Sequence, residues 1–327
     1  RKSFGKGGEY RLLAVVRRGG EDAAKVLSRA AALIPGDRRF FSTPEGAFFG
    51  CGAPRGKLAA VFPGQGSQYV GMLRDIACQF PQALGALAQA DAALAGELSG
   101  SGRLSDHIYP PPVFDEGAAA ALETTLRSTE LAQPAIGAVS LAALRVLEHF
   151  GVVPEAAAGH SYGELTALCA AGVFAPEELY GISRLRGKLM AAGGGDKGGM
   201  LAVRADLAKV EAALRSGGFD LVLANKNAPN QAVLSGATAE LQRAETALTA
   251  EGFTCVRLPV AAAFHSPLVS EAAGPFGRAL EKVAFSPARI PVYANSTAEV
   301  YPAGAQACRD LLAGQLARPV EFLREIE

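Results

Sequence analysis

The 327-residue chain is long enough to bury a real core and to hold more than one lobe. Its 32 basic and 32 acidic residues cancel, which gives no reason to expect a nucleic-acid or membrane-surface partner. No apolar run approaches the length needed to span a bilayer, and no signal peptide is visible. Cys51, Cys78, Cys169, Cys255 and Cys308 lack paired spacing. That fits free thiols in a reducing cytoplasm and speaks against a metal site. The chain opens on Arg1 and closes in a charged stretch, as expected of a segment from a longer polypeptide.

Residues 1–57 hold a basic, Gly-rich lead, a strand expected over Tyr10–Val16 before Arg17-Arg18, and an amphipathic helix expected over Glu21–Leu33. The aromatic run Arg39-Phe40-Phe41 and turns near Pro44 and Pro54 follow. This region carries no concentrated chemistry and reads as an accessory linker.

Lys57–Phe62 is a short apolar strand running into Pro63-Gly64-Gln65-Gly66-Ser67-Gln68, with a helix expected over Tyr69–Phe80. A strand, a Gly-rich loop and a helix present free N–H groups that suit an anion or oxyanion. An ordinary Gly-rich turn has the same composition, and no Gly-Lys-Ser/Thr follows to make a phosphate loop. Residues 81–130 read as Ala-rich helices broken by Pro110-Pro111-Pro112, with His107 in that loop. A helix over Thr129–Phe150 leads to a weak strand, Glu155–Ala158.

Gly159-His160-Ser161-Tyr162-Gly163-Glu164 comes next. A serine between two glycines, after a strand and before a helix, reads as a nucleophile elbow. The tight turn exposes the Ser161 hydroxyl at a helix N-terminus, where N–H groups and the dipole stabilise an oxyanion. In the helix expected over Glu164–Ala171, Cys169 falls at core spacing. The helix expected over Pro176–Met190 carries Arg184, Arg186 and Lys188. Arg186 can grip a carboxylate with two parallel hydrogen bonds, while its basic neighbours equally suit a solvated face. Ala191–Gly199 reads as a hinge.

From residue 200 to 259 the pattern is strand, helix, strand, strand, helix, strand: Met200–Val203, Asp206–Arg215, Leu221–Ala224, Ala232–Ser235, Ala239–Ala250 and Thr254–Leu258. That order is the ferredoxin-like split motif, with Asn225–Asn230 as its central turn. A helix over Leu268–Val283 and a strand over Ile290–Ala294 complete the main lobe. The fold class is therefore α/β: an α/β-hydrolase-like large subdomain (58–197 and 261–327), an inserted ferredoxin-like small subdomain (198–260), and a small α/β linker region before them (1–57).

A serine alcohol needs a base to attack at neutral pH. Of the four histidines, His149 suits a helix cap, His107 lies in a loop, and the His160 side chain should diverge from that of Ser161. His265, where the chain re-enters the main lobe, is left. No Asp or Glu stands out to orient it, and a backbone carbonyl can do the same.

Four ordered motifs resemble the malonyl-CoA:acyl carrier protein transacylase family, which includes acyltransferase domains of polyketide and polyunsaturated fatty acid synthases. They are Phe62-Pro63-Gly64-Gln65-Gly66-Ser67-Gln68, Gly159-His160-Ser161-Tyr162-Gly163-Glu164, Arg186-Gly187 and Ala263-Phe264-His265-Ser266, with weaker agreement over Asn225–Gly236 and Gln315–Pro319. The resemblance runs from about residue 57 to the C-terminus. It implies Ser161 as acylated nucleophile, His265 as base, and the backbone N–H groups of Gln65 and Tyr162 as oxyanion hole. It further implies Arg186 as clamp for the malonyl carboxylate, the main-chain carbonyl of Gln315 as orienter of His265, and His160 and Phe264 as substrate-binding residues. Phe264 resembles the malonyl-selecting version, since the methylmalonyl version usually carries Ser there; Tyr162 departs from the Gln common in methylmalonyl-type domains. Residues 1–57 resemble a ketosynthase-to-acyltransferase linker. Phe41-Ser42-Thr43-Pro44-Glu45-Gly46 and Gln68-Tyr69 look most like polyunsaturated fatty acid synthases.

No bound cofactor or metal is expected. Malonyl-CoA is the implied donor and the phosphopantetheine of an acyl carrier protein the acceptor. A ketosynthase domain of the same polypeptide is the implied neighbour. A serine thioesterase or esterase, or a docking module with a decayed site, are the competing readings.

Overall fold

The computed structural model describes residues 9–17, 19–20, 22–34, 39–52, 56–98, 102–192, 196–260 and 262–327. The Gly-rich lead, Arg18, Glu21, Pro54, Ala261 and the centre of the expected hinge (193–195) lie outside them. The chain divides into two units, Arg1–Lys57 and Leu58–Glu327.

The smaller unit holds β1 (Tyr10–Ala14), α1 (Ala23–Leu33), β2 (Phe40–Ser42) and β3 (Ala47–Cys51). Asp22 caps α1 by accepting from the Ala24 N–H. Val26 and Ala30 bury that face with Ala47. The sheet is antiparallel in the order β1-β3-β2. Sequence periodicity misses β2 and β3 because three-residue and five-residue strands are too short to show it. The turn at Pro44 closes a hairpin, where the Gly46 N–H donates to the Thr43 carbonyl and Gly46 takes a φ of 89°.

In the larger unit β4 (Ala59–Phe62) leads to α2 (Arg74–Gln79), α3 (Pro81–Leu94), α4 (Leu104–Ile108), α5 (Glu116–Arg127) and α6 (Thr129–His149). The helix expected from Tyr69 starts only at Arg74, because Gly71 and Leu73 take left-handed φ values of 82° and 53° and break the turn. His107 belongs to α4, not to the Pro-rich loop. Contrary to the expectation that no apolar run reaches a spanning length, α6 does. Its 21 residues are long and apolar enough to cross a membrane by length and composition, but most of that window is buried in the protein. There α6 packs on α3 and α8 (Pro176–Ala191). The crossing with α8 is close: a Cβ on Gly187 would stand 2.3 Å from the Thr129 carbonyl oxygen.

Between α6 and α8 come β5 (Ala156–Gly159) and α7 (Gly163–Ala170). β5 pairs parallel with β4, and Val292 adds a parallel bridge at Ala157. The carboxyl ends of β4 and β5 thus lie side by side, which puts the Gly-rich loop against the elbow.

The small lobe consists of β6 (Gly199–Arg204), α9 (Leu207–Gly217), β7 (Leu221–Ala228), β8 (Gln231–Gly236), α10 (Thr238–Ala250) and β9 (Thr254–Arg257). Its sheet is antiparallel, in the order β7-β8-β6-β9. The strand–helix pattern and sheet make it ferredoxin-like, and Leu201, Val210, Leu234 and Leu248 anchor a core of its own. β7 runs past the expected turn, through a bulge, to Ala228. Asn225 and Asn227 are consequently strand residues; Asn225 bridges Val320 of the main lobe's return, and Asn227 meets His160.

That return differs most from expectation. The helix expected over Leu268–Val283 is a 3-10 turn, Pro267–Ala272, followed by α11 (Ala273–Leu280). Pro275 has no N–H to continue one α-helix through both. The chain then forms β10 (Tyr293–Ala294), β11 (Glu299–Val300), α12 (Ala305–Gly314), a 3-10 turn at Gln315–Ala317 and α13 (Phe322–Ile326). The last two helices and β11 have too few residues, or too irregular an apolar pattern, to be read in advance.

Candidate active site

Ser161 sits between β5 and α7 with a φ of 52°, a left-handed conformation that a side chain adopts only when its surroundings hold it. The flanking glycines explain how the turn closes. A Cβ on Gly159 would lie 2.0 Å from the Gly163 carbonyl carbon, and one on Gly163 would lie 2.2 Å from the Phe62 oxygen. The His160 N–H donates to that same Phe62 oxygen at 2.9 Å, so the elbow is tied to the end of β4.

His265 reaches Ser161 across 104 residues of sequence, with Nε2 2.7 Å from Oγ. Its Nδ1–H donates to the carbonyls of Gln315, at 3.2 Å, and Arg318, at 3.0 Å. Two acceptors on one side leave the Nε2 lone pair for the serine proton. Arg318 was not anticipated, and its contact is the shorter one. His265 is itself left-handed, with a φ of 59°, and its N–H donates to the Leu316 carbonyl. Burial, the Arg186 charge and His160 push its pKa down to about 3, so the imidazole is a free base at neutral pH.

Tyr162 follows Ser161 directly, and Gln65 lies in the loop after β4. Gly64 lies so near the elbow that a Cβ there would stand 2.4 Å from the His160 oxygen. The Gln65 side chain accepts from Gln133 and donates to Thr129, which fixes the loop on α6. Among the described residues, neither the Gln65 nor the Tyr162 N–H has a protein acceptor. The Tyr162 ring turns away into the core, where its hydroxyl lies 2.8 Å from that of Ser183 on α8.

Arg186, one helical turn beyond Ser183, is 1% exposed. Its Nη2 donates to the Gln315 side-chain oxygen at 2.9 Å and its Nε has no partner. Among the described residues no carboxylate lies within ion-pairing distance of it. Burial lowers its pKa to about 10, with Glu164 the largest opposing influence, and the guanidinium stays cationic. Arg184, in contrast, pairs with Glu97 and Glu130 at 3.3 and 3.4 Å rather than lying on a solvated face. A buried cation without a counter-charge is costly and marks a place for an incoming anion.

The remaining expected residues lie close by. Phe264 is 6% exposed next to His265. The His160 ring lies with its Nε2 2.7 Å from Asn227 of β7 and stacks edge-on with Phe322. Cys169 is buried in α7, and burial pushes its thiol up to about 12. His149 meets Gln82 at the end of α6.

Sequence reasoning missed a polar cluster beneath the elbow. Glu164 is fully buried, accepts from the Asn295 N–H and the Tyr301 hydroxyl, both at 2.8 Å, and has its pKa pushed up to about 8 by burial. Glu325 accepts from the Asn295 amide, and burial pushes its pKa up to about 7. A lone Asn after a weak strand carries no sequence signal that separates it from a turn residue.

Known proteins share this arrangement of segments. The acyl transferase domain family matches residues 60–322. One polyunsaturated fatty acid synthase polypeptide, from Thraustochytrium, is 34% identical over 84% of the chain, which spans only 10% of that protein. The malonyl CoA-acyl carrier protein transacylase of Escherichia coli O157:H7 is 33% identical over 83% of this chain and 84% of its own. Among solved structures, the acyltransferase domain from the second module of the salinomycin polyketide synthase superposes with a TM-score of 0.77 at 30% identity, covering 97% of this chain and 69% of its own.

Proposed function

Because the chain belongs to the acyl transferase domain family, we propose that it moves a malonyl group from malonyl-CoA to the phosphopantetheine thiol of an acyl carrier protein through an ester on Ser161. The observation that carries this reading is the buried, carboxylate-free Arg186 joined through the Gln315 side chain to the peptide of Ser161. A hydrolase for neutral esters has no use for that cation.

His265 Nε2 takes the Ser161 proton as Oγ attacks the thioester carbonyl, and the oxyanion is held by the Gln65 and Tyr162 amides. Collapse breaks the carbon–sulfur bond, and the proton on His265 leaves with the CoA thiolate. The carboxylate of the malonyl ester stays on Arg186. The carrier thiol then gives its proton to His265, attacks the ester carbonyl, and Ser161 leaves with that proton restored. Charge is neutralised by fixed protein groups throughout, so CoA and the carrier arm are substrates and no resident cofactor takes part.

The chain's small share of the synthase polypeptide and its near-complete coverage by the salinomycin domain support a place as the extender-loading domain of a polyketide or polyunsaturated fatty acid synthase. A ketosynthase beside it in one cytoplasmic polypeptide is part of the same proposal. Incubation with radioactive malonyl-CoA tests the chemistry. One equivalent of label is expected on the protein, none on Ser161→Ala, and transfer to a holo carrier protein. Turnover to free malonate without any thiol acceptor would replace the reading with a hydrolase.

A further inference from the structure

Resting on the reading of Ser161 as the acylated alcohol, we propose that Asn295 is a positioning residue that holds the nucleophile in its left-handed conformation through both faces of its carboxamide. Asn295 follows β10 directly and is fully buried. Its Oδ1 accepts from the N–H of Ser161, and its Nδ2 donates to the carbonyl of Gly159 at 2.6 Å. One planar group therefore spans the turn, gripping the peptide just before His160 and the peptide that enters Ser161. Nδ2 also donates to Glu325 at 2.7 Å, which fixes which end of the amide faces which peptide.

The backbone of Asn295 is held just as firmly. Its N–H donates to Glu164 at 2.8 Å and its carbonyl accepts from the Glu321 N–H at 2.8 Å. The Ser161 carbonyl is gripped from the opposite side by Gln315. A serine at a φ of 52° relaxes once its N–H is released, because that conformation is unfavourable for any residue with a Cβ. Relaxation swings Oγ away from His265 Nε2 and turns the Tyr162 N–H away from the developing oxyanion. Asn295 touches neither substrate nor reacting atoms. It acts through Ser161.

The test is a single-turnover acylation series with malonyl-CoA. Asn295→Ala is expected to lower the acylation rate 10- to 100-fold with the KM for malonyl-CoA and the preference for malonyl over acetyl donors unchanged. Acylation at the wild-type rate would overturn the inference. So would a loss that appears only in KM or in the folded fraction. If Asn295→Ala fails to fold, the near-isosteric N295D carries the test. Protonated, its carboxyl group reproduces one acceptor and one donor; ionised, it only accepts, and it faces Glu325 from α13 and Glu164 from α7, with Tyr301 donating to the latter. Its rate relative to the wild type at the same pH is expected to fall as pH rises from 5.5 to 8, and an N295D rate equal to the wild-type rate across that range would overturn the inference. Persistent labelling of Ser161→Ala would instead sink the nucleophile reading itself, whatever the Asn295 variants do.

Discussion

The side-chain amide of Gln315 donates to the carbonyl oxygen of Ser161 at 2.6 Å while its own oxygen accepts from Arg186 at 2.9 Å. The same residue's backbone carbonyl accepts from His265 Nδ1. Ser161, His265 and the buried Arg186 cation thus meet on one glutamine, through three different atoms.

Gln315→Met separates those roles, because it keeps the backbone carbonyl and roughly the side-chain volume. A hydrogen bond to a charged group contributes about 1.5–3 kcal/mol. Malonyl transfer, as kcat/KM, should therefore fall about 10- to 100-fold. The pH profile should not move, since the acceptors of His265 are untouched. Steady-state kinetics across pH check both halves.

Arg186→Ala removes the proposed clamp. Losing one partner of a desolvated charge pair costs about 2–5 kcal/mol. The malonyl kcat/KM should drop by at least about 30-fold, with uncharged acetyl or butyryl donors unaffected or improved. Unchanged malonyl preference in a competition assay would count against Arg186 as the carboxylate site.

The pKa of His265 sets the activity profile. It lies near 3, not 6.5, chiefly because the ring is desolvated, with Arg186 repelling the imidazolium. The base is already free at pH 5. Pre-steady-state acylation should be flat from about pH 5 to 8, without the inflection near 6.5 that an exposed histidine gives. The same shift works on stability. The unfolded chain binds a proton as pH falls below 6.5 and the folded one resists it down to about 3, so stability contributed by the neutral ring is lost across that window.

What could be read in advance follows from where physics writes locally. Ser161, the glycines beside it and the strand–turn–helix around them are a local signal, as is the alternation that gives the ferredoxin-like lobe. The link from Ser161 to His265 spans 104 residues, and elimination among four histidines was the only local route to it. Arg318 as a second acceptor for His265 was invisible, since any residue supplies a carbonyl. Asn295, Tyr301 and Glu325 escaped for a related reason: their significance lies in tertiary hydrogen bonds between elements of two to five residues. Leu73 broke an apparently continuous helix by a backbone angle that composition does not encode.

Glu164 gives a stability prediction of opposite sign to that of His265. Burial raises its folded pKa from 4.5 to about 8. Its neutral form stabilises the fold below about pH 4.5, and that contribution is lost as pH rises through about 8, because the unfolded chain releases the proton sooner. The slope approaches about 1.4 kcal/mol per pH unit for one proton. Glu164→Gln keeps an acceptor for Asn295 and Tyr301 and removes the titration. Its stability relative to wild type should rise steadily from pH 5 to 8 in urea unfolding. A constant difference between the two proteins would mean that Glu164 ionises normally.

Gly64→Ala probes the oxyanion hole without touching any reacting group. The new Cβ would stand 2.4 Å from the His160 carbonyl oxygen, which is backbone and cannot step aside. The Pro63-Gly64-Gln65 loop must lift, and the Gln65 N–H moves off the place the proposed mechanism gives it beside the developing oxyanion. Loss of one such donor costs about 100- to 1,000-fold in kcat. KM should change little, because the proposed clamp, Arg186, lies on another element. Gly66→Ala is the control: a φ of 105° strains that position, but the added Cβ meets nothing within 4 Å. A kcat for Gly64→Ala within tenfold of wild type, at retained fold by circular dichroism, would remove Gln65 from the oxyanion hole.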